Sequence, residues 1–166
     1  MLKPVSSKRF RADGAQLAIV ASTYNARYVN AMVQAARDEL KRARVKSVRI
    51  FRVPGAYEIP IVAARLARGA SRRAQTSTAS STFSAIICLG VILRGETAHA
   101  AHIGDAVSHA LMQVQLQYEV PVIHEVLLLE NEVQARVRCL GRKHNRGTEA
   151  AQSALAMARV MAGLGP

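Results

Sequence analysis

The chain reads as an α/β protein, a doubly wound sandwich around a mainly parallel sheet of four strands, and three observations carry that reading. Short apolar segments suited to strands alternate with segments whose apolar residues recur at helical spacing. Two strand candidates, Ala85 to Ile92 and Val122 to Leu129, are apolar almost without interruption, as expected of parallel strands covered on both faces. The 166 residues, half of them hydrophobic, are enough for one core of ordinary size without disulfides.

Gln16 to Ser22 is the first strand, and Ala26 to Arg44 follows as a helix with Val29, Met32, Val33, Ala36 and Leu40 on one side. Val45 to Val53 alternates apolar with basic residues until Pro54-Gly55 stops it. A second helix begins near Glu58. Pro60 sits in its first turn, where a missing amide hydrogen is harmless, and Ile61, Val62, Ala64 and Leu66 continue it. From Arg68 to Ser84 the composition turns to Arg, Ser, Thr, Ala and Gln without periodicity, which predicts an exposed loop. His99 to Glu119, between the third and fourth strands, carries Ile103, Val107, Leu111 and Val114 at helical spacing and stops at Val120-Pro121. Closing helices are expected at Asn131 to Cys139 and Thr148 to Met161, around a basic turn from Gly141 to Gly147. The final helix is rich in small residues (Ala150, Ala151, Ala154, Ala156, Ala158), which allow close packing within the chain or between copies. Residues 1–15 read as a basic tail and 16–166 as a single domain.

A formal charge of +12 raises nucleic acid as a partner, because clustered cations release counterions from phosphate backbones. The excess is dispersed over Lys3 to Arg11, Lys41 to Arg49, Arg65 to Arg73 and Arg136 to Arg146, and four Tyr, three Phe and no Trp offer little for base stacking. Solvated basic faces account for most of it, while the last cluster also suits a small phosphorylated ligand. Cys88 and Cys139 have neither metal-ligand nor disulfide-framework spacing, so no metal is expected. No run approaches the roughly 18 apolar residues of a spanning helix, and no apolar block follows the basic start, which predicts a soluble, cytoplasmic protein.

In a doubly wound sheet, ligands bind beyond the carboxyl ends of the parallel strands. Three loops qualify: Thr23-Tyr24-Asn25, Val53 to Glu58, and Leu93 to His99. The third runs from an apolar strand through Arg94-Gly95-Glu96-Thr97-Ala98 and delivers His99 to a helix start. The unpaired amides of such a start attract anions, so Gly95, Glu96 and Thr97 are candidates for holding a phosphate while His99 handles protons. Thr97 serves equally well as an ordinary helix cap.

With those loops in view, the chain resembles the lumazine synthase family, enzymes of riboflavin biosynthesis. The resemblance runs from about Gln16 to Met161 and rests on Tyr24-Asn25, Val53-Pro54-Gly55-Ala56-Tyr57-Glu58-Ile59-Pro60, Leu89 to His99, Gln134-Ala135 with Arg138, and Asn145-Arg146-Gly147-Thr148-Glu149-Ala150-Ala151, in that order. It implies a flavodoxin-like three-layer sandwich and a condensation of 5-amino-6-(D-ribitylamino)uracil with 3,4-dihydroxy-2-butanone 4-phosphate, releasing phosphate and water. No cofactor is implied. His99 takes the proton-transfer role, Arg138 joins Gly95, Glu96 and Thr97 around the phosphate, and Tyr24, Asn25, Ala56, Tyr57, Glu58, Val91, Ile92, His124 and Arg146 receive the uracil and ribityl groups. The resemblance further implies a homo-oligomer of pentamers (a pentamer, a decamer or a 60-subunit icosahedral particle) with His124, Arg138 and Arg146 supplied by a neighbouring subunit.

The chain departs from the family pattern at several points. His124 stands where the family usually has Phe, Ala100 and Ala101 replace an aromatic and an acid, Arg146 replaces a frequent Lys, and Leu128-Leu129 replaces threonines. The 68–84 segment is longer than usual. A rival reading from the charge is a non-catalytic basic scaffold or nucleic-acid-binding shell of the same fold, in which nucleic acid replaces the small-molecule substrates.

Overall fold

A computed structural model describes residues 12, 14–74, 83–141 and 144–164. Four strands and five helices alternate: β1 (Gln16–Ser22), α1 (Ala26–Arg42), β2 (Ser47–Val53), α2 (Ile59–Ala74), β3 (Ala85–Leu93), α3 (His99–Tyr118), β4 (Val122–Leu129), α4 (Glu132–Ala135) and α5 (Arg146–Leu164), with a π-helical turn at Arg136–Leu140. The strands form one sheet, ordered β2-β1-β3-β4, with every pairing parallel.

Side chains alternate across each strand, so one sheet feeds two cores. Leu17, Ile19 and Ala21 of β1 pack with Val29, Met32 and Ala36 of α1 and with Ala150, Ala151 and Ala154 of α5. Ala18 and Val20 face the other way, into Ile59 and Ala63 of α2 and Val107 and Leu111 of α3. The result is the three-layer α/β sandwich expected from the periodicity. The small residues of α5 are consumed within the chain: Ala150, Ala151 and Ala154 are fully buried against α1. Gly147 lets the two helices meet, since a Cβ there would overlap the backbone of Met32.

Three expectations change. Helix α2 continues to Ala74, past Arg68 where a loop was expected. Arg and Ala are strong helix formers, and propensity carries the helix on where apolar periodicity has ended. The remainder of that segment, 75–82, lies outside the described residues, as do residues 1–11 and 13 of the basic tail. Strand β4 is an edge strand rather than a central one, and although both its faces contribute to a core, His124 and Leu128 are exposed on it. The helix expected over Asn131 to Cys139 is divided. Asn131 caps α4 by accepting from the Gln134 amide at 3.0 Å, and the chain then widens into the π-helical turn that carries Arg138.

Candidate active site

The carboxyl ends of β1, β2 and β3 open into a cleft of about 700 Å³. Its walls hold Tyr24 and Asn25 after β1, Ala56, Tyr57 and Glu58 after β2, Val91 and Ile92 of β3, and His99 at the start of α3. The three expected loops thus converge on one cavity, for the reason given by topology: parallel strands end on the same side.

Local chemistry fixes each wall. Asn25 has the left-handed backbone that Asn tolerates better than most residues (φ 54°), which turns the chain from β1 into α1. Its side-chain Nδ2 donates to the Val91 carbonyl at 2.7 Å, tying the first loop to β3. Thr23 and Tyr24 donate their amides to the Pro54 carbonyl at 3.1 Å, and Thr23 Oγ1 adds a bond of 2.9 Å, so the first and second loops are clamped together. Gly55 leaves the space in which Tyr24 lies, because a Cβ there would stand 3.2 Å from the Tyr24 ring. Glu58 accepts from the Gly55 amide at 2.8 Å. A carboxylate has further lone pairs, so it keeps acceptor capacity toward the cleft. Tyr24 and Tyr57 are 68% and 64% exposed, an unusual display of two aromatic faces at one opening.

The histidine-bearing turn divides. His99 lines the cleft, while Gly95, Glu96 and Thr97 form an exposed turn outside its lining. Thr97 is not the cap of α3. That position belongs to Ala98, which offers no side-chain bond. His102, which carried no expectation of a site role, lines the same cleft one turn beyond His99. The signal was available, since residues three apart on a helix share a face. Beneath the rim, the Ser22 hydroxyl is buried without a hydrogen-bond partner, beside the gap that Gly90 leaves.

His124, Arg138 and Arg146 are absent from the lining of this cleft. His124 sits five residues before the end of β4, about 16 Å below the rim at the usual strand rise. Its Nε2 lies 2.9 Å from Ser108 Oγ of α3. Arg138 is exposed on the π-helical turn. Arg146, at the start of α5, donates through Nε to Glu125 Oε2 at 2.9 Å and through Nη1 to Glu149 Oε2 at 2.5 Å. Glu125 is buried on β4, and desolvation pushes its carboxyl up to about 7 despite the lowering influence of Arg146 and Arg138. Sequence reasoning missed this residue, although an acid inside a mostly apolar strand was itself a flag. Burial raises both thiols, Cys139 to about 11 and Cys88 further, so neither is poised for thiolate chemistry. No group of metal-binding side chains occurs among the described residues.

A sheet edge that presents aromatic faces, backbone polar groups and a histidine is suited to a flat heterocycle. The family profile described as 6,7-dimethyl-8-ribityllumazine synthase matches residues 14–162. The chain belongs to this family. Among the relatives, the 6,7-dimethyl-8-ribityllumazine synthase of Stenotrophomonas maltophilia (strain R551-3) is 38% identical over 151 residues, 90% of each chain. The proteins of the same name from Xanthomonas campestris pv. campestris (strain B100) and Xanthomonas euvesicatoria pv. vesicatoria (strain 85-10) are 38% and 39% identical over 153 residues, covering 91% of this chain and 92% of theirs. A lumazine synthase family member is therefore matched along nearly its whole length, with the cleft inside the matched region.

Proposed function

We infer that the protein is a 6,7-dimethyl-8-ribityllumazine synthase, a transferase that joins 5-amino-6-(D-ribitylamino)uracil to 3,4-dihydroxy-2-butanone 4-phosphate. One observation carries the reading: the family's loops meet at a single cleft lined by His99 and two exposed tyrosines. The 5-amino nitrogen of the uracil adds to the ketone and loses water to give an imine, phosphate departs by elimination to leave an enol that becomes a second carbonyl, and the ribityl-bearing nitrogen adds to that carbonyl and loses a second water to close the pteridine ring. Each step moves a proton, and imidazole, with an unperturbed pKa of ~6.5, both gives and takes protons near neutrality. Tyr24 stacks on the uracil, backbone groups of Ala56, Tyr57, Val91 and Ile92 pair with its edge, and Asn25 and Glu58 hold polar groups of the substrate.

The departing phosphate requires cations that the cleft of one protomer does not hold. Arg138, a planar bidentate donor, fills this role with the Gly95-Glu96-Thr97 turn, and His124 and Arg146 complete the heterocycle side, all three cationic or stacking residues coming from an adjoining subunit. Two facts support this. Those residues lie away from their own cleft, and apolar side chains such as Ile61 (72%), Leu116 (71%) and Val133 (70%) are left exposed, as on a surface that another copy covers. A pentamer, alone or as the unit of a larger particle, is the proposed assembly. No helix among the described residues is long and apolar enough to cross a membrane, and we place the enzyme in the cytoplasm.

The test is direct. Given both substrates, the purified protein is expected to form a lumazine that absorbs and fluoresces in the visible, with one phosphate per product. Absence of product and phosphate at high enzyme concentration refutes the reading. With the phosphorylated substrate held well below the raised KM of Arg138→Ala, so that this variant and His99→Ala are each nearly silent, mixing the two is expected to restore up to roughly a quarter of parent activity after reassembly, since random neighbours then reconstitute that fraction of shared sites. No recovery refutes the division of the site between subunits.

A further inference from the structure

The Glu125–Arg146–Glu149 cluster has no part in the cleft of its own protomer, yet it is built with unusual care. Arg146 is gripped from two sides, at Nε by Glu125 and at Nη1 by Glu149. Only 10% of the Glu125 side chain is exposed, in a strand whose other residues, the exposed His124 apart, are apolar. Burying a carboxylate is costly, and ion pairs of this kind can often be replaced as a whole by apolar residues without loss of stability. Building on the shared site proposed above, we propose that Glu125 is a positioning residue: it aims Arg146 and sets the net charge presented beside Arg138, so that anion binding there draws a proton onto Glu125.

The charges decide the sign. With Glu125 ionised, Arg146 and Arg138 are offset by Glu125 and Glu149, and the group is neutral. With Glu125 protonated the same group carries one positive charge, which favours a phosphate dianion. Binding and protonation are reciprocal, so each promotes the other. The groups acting on Glu125 are Arg146 and Glu149 from α5 and Arg138 from the π-helical turn, where Cys139 also feels it. On the sheet side its neighbour in register is Leu89 of β3, which brings no charge. Glu125 lies close to neutrality, so the proton is available in the working range. Arg146 retains donors beyond the two it commits here, because a guanidinium has five.

Sulfate is the probe, since it remains a dianion throughout the range and any pH dependence comes from the protein. Calorimetric titration of the assembled parent is expected to show affinity falling about five-fold between pH 6 and pH 8, with proton uptake on binding at pH 7.5. Glu125→Gln is expected to bind about five-fold more tightly than the parent at pH 8 and to converge with it at pH 6. Parallel curves for the two proteins overturn the proposal. If Gln prevents assembly, Glu125→Asp decides: the pH dependence persists with a displaced midpoint, and an unmoved midpoint overturns it equally. A parent that makes no lumazine marks failure of the functional reading, whereas an active parent with parallel curves marks failure of this inference alone.

Discussion

Replacing Gly147 with Ala tests the packing that holds α5 against α1. A Cβ at this position would fall within 3.0 Å of the Met32 carbonyl oxygen, its carbon and its Cα. All three are backbone atoms, so no rotamer change relieves the overlap, and the helices must part. Neither can move freely, because Met32 and Ala36 on one side and Ala150, Ala151 and Ala154 on the other are fully buried. Overpacking of this kind costs about 3 kcal/mol or somewhat more. For a domain of this size that is a fall in Tm of roughly 6–12 °C, measured by scanning calorimetry at fixed protein concentration. Gly69 supplies the control. It lies within α2, a Cβ there meets nothing within 4 Å, and Gly69→Ala is expected to gain about 0.5–1 kcal/mol from helix propensity. Equal melting temperatures for the two variants would refute the argument that close helix approach dictates glycine at 147.

Further outcomes follow from the site. His99→Ala is expected to lower kcat by about 10² or more while KM for either substrate moves far less, and unchanged turnover in steady-state assays would show that another group carries the protons. Arg138→Ala is expected to raise KM for the phosphorylated substrate roughly 10- to 100-fold with little change for the uracil, as befits a charge-assisted bond; equal effects on both would contradict a phosphate role. Asn25→Ala loses the 2.7 Å bond to Val91 and places Ala in the left-handed region, a cost of about 2 kcal/mol. Asn25→Gly keeps the turn and forfeits only the bond, so it should fall by about half as much on urea denaturation. The raised carboxyl of Glu125 makes its contribution to stability present below about pH 4.5 and lost as pH rises through about 7, because the folded state holds the proton longer. Glu125→Gln should therefore melt above the parent at pH 8, by on the order of 2 kcal/mol, and alongside it at pH 5.

The strands and their carboxyl-end loops were legible because period and punctuation agreed: apolar runs of strand length, each followed by Asn, Pro-Gly or Gly and then a helical repeat. That logic alone located Tyr24, Glu58 and His99 on one rim. What remained hidden depended on geometry that period does not encode. The extension of α2 to Ala74 came from residue propensity without an apolar stripe, so a pattern search ended the helix too soon. The edge position of β4 followed from the strand order, and its apolar sequence gave no warning that His124 would be exposed. His102 could have been placed in the cleft from its spacing to His99. Glu125 could have been flagged as a buried acid, but its partner Arg146 lies 21 residues away, a pairing visible only once β4 and α5 pack together.

The cleft opens at the rim formed by β1, β2 and β3, while Arg138 and Arg146 lie on the far side of the sheet, next to α1 and α5. On the shared site proposed above, every copy is a lock at one end and a key at the other. A row of such copies with free ends always owns one fewer working lock than it has members, and only a closed circle wastes none. Selection for turnover therefore acts directly on the curvature with which one copy follows the next.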